Sequence, residues 1–162
     1  MRSGYILSIL FFFPLLVIQT TVIPLVEIEG VIPDLILIML VYYAIRYGQM
    51  YGLILGFIYG FFLDLIAGSL LGSVMFTKTL AGFIGGYFSN ENKREIYLST
   101  YFFSLIVLLC ATVDSFIFSF FSSIDLTRNI FISFFEQGVF PGLYTAVVSI
   151  VVVIFRPRRS IS

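Results

Sequence analysis

Four ionisable side chains lie deep inside apolar runs of this sequence: Asp64, Lys78, Asp114 and Glu136. Near the centre of a membrane helix each costs roughly 2.5–3.5 kcal/mol, so each must face protein or an internal cavity. Two chemistries suit such a set. Asp64 and Asp114 could share a proton as an aspartic dyad. Alternatively, Lys78 neutralises Asp64, and the group serves as polar glue between helices or as a site for a partner or small ligand. Asp64 stands seven residues before Leu71, in the middle of a turn, and Lys78 stands seven after it. That spacing predicts similar heights on neighbouring antiparallel helices, where an ammonium favours two ionised carboxylates over a shared proton. Asp114 and Glu136 are then left to be protonated, hydrogen-bonded or met by a partner subunit.

Other site chemistry is missing from the sequence. There is no histidine, which removes Ser-His and Cys-His nucleophilic pairs and the commonest metal ligand. The single Cys110 forms no disulfide or thiolate cluster within one chain. No GxGxxG, GxxxxGK[ST] or CxxC motif occurs, so no cofactor and no metal is expected. The dyad reading also lacks the Asn-containing motifs and four-span layout of lipoprotein signal peptidases, and the Gly-x-Gly-Asp signature of other membrane aspartic proteases.

The elements that must hold these groups follow from composition. Of 162 residues, 60% are apolar and 11% charged, and the mean hydropathy is +1.09. A soluble domain runs at about 45–50% apolar and about 25% charged, so most of this chain is solvated by lipid. Zero net charge gives no field toward nucleic acid. A span needs about 17–25 apolar residues. The runs predict six spans, at about 5–23, 33–47, 51–67, 73–88, 96–121 and 130–155, as one transmembrane domain over 1–162. A cleaved leader fits the first run poorly, since no small-x-small site follows. With both termini cytoplasmic, the inner side collects Arg2, Arg46, Lys93, Arg94, Arg156, Arg158 and Arg159, and the outer side only Arg128. Asp34 then opens the second span at its outer end, and the four buried ionisable groups fall in the outer half. Arg156 to Arg159 form a topological anchor that can also touch anionic lipid.

Gly48, Gly52, Gly56, Gly60, Gly68 and Gly72 lie on one four-residue ladder, with Asp64 on the missing rung. Four residues advance a helix by about 400°, so Gly56, Gly60 and Asp64 share a face. Gly82 and Gly85 share the face of Lys78 on the next span. Small residues at this spacing predict a tightly packed hairpin of the third and fourth spans.

Pro33-Asp34-Leu35, Tyr43-Ala44, Gly48, Gly52, Gly56-Phe57, Gly60, Asp64, Gly68, Leu71-Gly72, Thr79-Leu80 and Gly82 together resemble the rod shape-determining MreD family. The resemblance covers about a third of the chain and leaves Asp114, Glu136 and Pro141-Gly142 unassigned. It implies a non-enzymatic, multi-pass protein of the bacterial inner membrane. Its partners would be MreC and, through it, MreB, a class B penicillin-binding transpeptidase and a SEDS glycosyltransferase, directing lateral peptidoglycan synthesis. It further implies a fold similar to the substrate-binding subunits of energy-coupling-factor vitamin transporters, whose function is the alternative. The first span, Ile6 to Phe13, is bulky and carries no Ala-rich docking pattern. On the scaffold reading Asp34, Asp64 and Lys78 hold the bundle or its interface with MreC.

Overall fold

The computed structural model describes residues 2–21, 32–67, 72–90, 94–99, 101–122 and 139–155. Among them the chain is helical throughout, with no strand: α1 (Arg2–Thr21), α2 (Leu35–Tyr47), α3 (Gln49–Ala67), α4 (Ser73–Tyr87), α5 (Arg94–Ser99), α6 (Tyr101–Ser122) and α7 (Phe140–Phe155). Helices α1 to α4 fall within a few residues of the first four apolar ranges read from the sequence. The fifth is an exception: its residues are divided between the short α5 and the long α6. Helix α7 covers the later part of the range 130–155 expected for the sixth span; residues 130–138, Glu136 among them, lie outside the described residues, as does Gly68. Two helices, α3 and α6, are long and apolar enough to cross a membrane, and α1, α2 and α7 contain shorter apolar stretches.

Local chemistry sets the helix boundaries. Pro33-Asp34 starts α2, with Asp34 Oδ1 accepting the Leu37 amide at 2.8 Å as an N-cap. Gly48 ends it at φ +104°, a conformation that strongly favours glycine, while its N–H still closes on the Ala44 carbonyl at 2.8 Å. Helix α3 begins at the next residue.

The core has two lobes on either side of α2, a 13-residue helix with eight buried side chains. In one lobe Leu37, Val41 and Ile45 meet Ala81 of α4 and Phe103, Val107 and Cys110 of α6. In the other, Ile36 and Leu40 meet Phe12 of α1 and Tyr51, Leu55 and Tyr59 of α3. The Phe12 and Tyr59 rings stack at 4.3 Å. Burying so much of a short helix makes α2 the spine that fixes α3, α4 and α6 relative to one another. Phe11 and Phe13 of α1, Phe57 and Phe61 of α3, and Phe116 and Phe120 of α6 point outward, where lipid is their natural solvent.

The most extensive helix pairing joins α3 to α4. An added Cβ at Gly52 would run into the Gly82 carbonyl, at Gly56 into the Lys78 carbonyl, and at Gly60 into the Met75 backbone. The expected glycine seam is therefore backbone on backbone. Gly86 extends it against Gln49, a contact the four-residue ladder does not include. Two glycines assigned to close packing do other work. Gly72 has open space around it and φ +104°, so it serves the turn into α4. Gly85 faces away from α3, at ordinary distances from Val41, Ala44 and Cys110.

Candidate functional site

Because the backbone at Lys78 is pressed against Gly56 of α3, the Lys78 side chain leaves α4 on the opposite side. It runs toward α2 and α6, where Nζ sits 2.6 Å from Asp34 Oδ2 and 2.6 Å from Asp114 Oδ2. The Lys78 side chain is 4% exposed, Asp114 12% and Asp34 26%. One ammonium thus ties together three helices, and it does so where low dielectric strengthens each contact and makes loss of a partner costly.

The expected pairing of Lys78 with Asp64 is corrected by this geometry. Asp64 is buried and directed at the first turn of α4. Its Oδ2 accepts the Gly72 and Met75 amides, each at 2.9 Å, and its Oδ1 accepts the Val74 amide at 3.1 Å. A helix start leaves its first amides without intrahelical partners, and an anion there also meets the favourable end of the helix dipole. Asp64 therefore acts as an N-cap supplied by the preceding helix. The similar heights expected from their spacing about Leu71 are not found either: Gly56 is the α3 residue level with Lys78, whereas Asp64 is level with the start of α4.

Polar residues from two more helices converge on Asp34. Its amide donates to Thr145 Oγ1 of α7 at 3.1 Å. Gln19 of α1 receives the Leu35 amide at Oε1 and donates through Nε2 to the Pro33 carbonyl, both at 3.0 Å. The N-terminus of α2 is in this way bound by α1, α4 and α7 at once. Gln19 and Thr145 were not singled out in the sequence; a lone amide or hydroxyl inside an apolar run was the available signal. A second polar group lies in the α1–α3 lobe, where Ser8 Oγ and the Tyr51 hydroxyl are 2.7 Å apart and Tyr59 donates to the Ser8 carbonyl at 3.0 Å. On the α6–α7 face, Ser104 donates to the Ala146 carbonyl at 2.8 Å, and Gly142 lets α7 approach Thr112.

Of the five polar residues expected to matter, Asp34, Lys78 and Asp114 form one cluster and Asp64 holds the neighbouring helix start. Glu136 lies outside the described residues. Asp64 and Asp114 are engaged by backbone amides and by an ammonium respectively, which is not the arrangement of a proton-sharing dyad. Among the described residues no group of three or more Cys, Asp or Glu side chains is placed to hold a metal ion.

An all-helical bundle with outward aromatic faces, helices long enough to cross a bilayer and charges turned in on each other defines a helical membrane-associated protein. A family model described as rod shape-determining protein MreD matches residues 1–157, so the chain belongs to the MreD family. The family is one of shape-determining proteins and is not a known enzyme family. No curated protein and no solved structure matches the chain.

Proposed function

We propose that this chain is a non-enzymatic scaffold of the bacterial elongation complex. In this reading it crosses the cytoplasmic membrane six times, with both termini inside, and forms a single domain over 1–162. It binds the membrane helix or adjoining periplasmic stem of MreC. Through MreC it works with MreB, a class B penicillin-binding transpeptidase and a SEDS glycosyltransferase to direct lateral peptidoglycan synthesis.

The observation that carries this reading is the family match across residues 1–157. Two features support its finer parts. The excess of Lys and Arg on alternate loops favours cytoplasmic termini. The buried charges bind helices to one another, Lys78 to Asp34 and Asp114, and Asp64 to the start of α4. Such bonds build a rigid surface for another membrane protein to read. The test is depletion of the protein in its rod-shaped host, followed by complementation. Cells should round up and lose side-wall incorporation of labelled cell-wall precursor, and the wild-type chain should restore both. Cells that stay rod-shaped with normal side-wall labelling would refute the proposal.

A further inference from the structure

The Asp34–Lys78–Asp114 cluster does not balance as drawn. Two carboxylates face one ammonium, leaving one excess negative charge at a site where Lys78 and Asp114 are nearly closed to water and Asp34 is partly open to it. An uncompensated buried charge is the costliest arrangement a membrane interior can hold, and it is relieved by a counter-charge or by neutralisation. Asp114 also carries an anomaly at its second oxygen. Oδ1 is fully buried and has no hydrogen-bond partner among the described residues. Buried polar atoms are nearly always satisfied, so this oxygen needs an occupant.

We propose that Asp114 is a proton-binding site, holding a proton on Oδ1 while Oδ2 accepts from Lys78. The occupant has to bring one positive charge and to fit where the oxygen has no open surface. A proton meets both conditions without moving an atom, whereas a metal ion or a partner's ammonium would need the helices to part. The charged and titratable groups around the site are Asp34 from α2, Lys78 from α4 and Cys110 one turn earlier on α6; Asp64 of α3 is held on the amides of α4. Lys78 is the one cation bonded to the cluster among the described residues, and it bonds to both carboxylates.

This inference is independent of which partner the protein binds. It is tested by infrared difference spectroscopy on the full chain in lipid nanodiscs, with the aspartate carboxyl carbons isotopically labelled. The wild-type protein at neutral pH should show the carbonyl band of a protonated aspartic acid, and Asp114→Asn should lose it. Asp114→Asn copies the neutral group and is expected to fold, and the wild-type spectrum alone is already decisive. Asp34→Asn should also abolish the band, because Lys78 then balances an ionised Asp114 alone, whereas Asp64→Asn should leave it. Absence of a protonated aspartic acid in the wild type would overturn the proposal, as would a band that persists in Asp114→Asn. Loss of the wild-type band on adding sodium or another small cation would also overturn it, by showing that an ion takes the place.

Discussion

Lys78 is the residue whose loss should be felt most widely, because its nitrogen is shared by carboxylates from two other helices. Lys78→Met keeps the length and apolar stem but leaves Asp34 and Asp114 facing each other without a cation. Breaking a buried pair in this way costs about 3–5 kcal/mol. The expected result is a large drop in the thermal midpoint of the detergent-solubilised protein, and adding Asp34→Asn and Asp114→Asn to the same chain should recover part of it. Asp64 makes a smaller, local contribution. Asp64→Asn puts an amide NH2 where one oxygen now accepts backbone N–H groups, so the α4 start loses about 1–2 kcal/mol. Hydrogen exchange at Val74 and Met75 should rise in that variant, while the amides of α6 stay protected.

At the scale of elements, the glycine seam separates positions that look alike in sequence. Gly56→Ala drives a methyl group into the Lys78 carbonyl, and backbone cannot yield as a side chain can, so a loss of about 1–3 kcal/mol is expected. Gly85→Ala meets only side-chain atoms, the closest at 3.5 Å, and removes a helix-interior glycine. It should be neutral, or stabilising by less than about 1 kcal/mol. A pairwise comparison of unfolding curves checks both. The contrast shows where the sequence was legible. Periodicity along one helix is fixed by 3.6 residues per turn, so the face shared by Gly52, Gly56 and Gly60 could be read directly. Which neighbour a side chain meets depends on rotation about the helix axis and on which helix lies across from it. For that reason the spacing of Asp64 and Lys78 about Leu71 suggested equal heights and a pair, whereas the register sets Gly56 level with Lys78. The close approach of α3 and α4 instead turned Lys78 toward α2 and α6 and left Asp64 to the amides of the α4 start. Gly72 misled for a similar cause: the ladder continued by number, but the helix had already ended and the residue is at φ +104°.

For the molecule as a whole, the charged cluster, the Gln19 clamp and the Thr145 bond gather at the Asp34 end of the bundle, where α1, α2, α4, α6 and α7 all contribute. The six-span arrangement predicts that this is the outer end. Cysteines introduced one at a time at Ser123 and at Ser160 separate the alternatives, since native Cys110 is buried and should stay unlabelled. A membrane-impermeant maleimide added to whole cells should label position 123 and not position 160; the reverse pattern would overturn the orientation. The central claim is that this family member is an assembly component that acts by contact. Its most direct test is affinity purification of the tagged protein from its host in mild detergent, with mass spectrometry of what remains bound. The account predicts recovery of MreC with the cell-wall transpeptidase and glycosyltransferase, and reduced recovery with Lys78→Met. Recovery of a transporter ATPase pair or a bound vitamin, with no cell-wall partner, would contradict it.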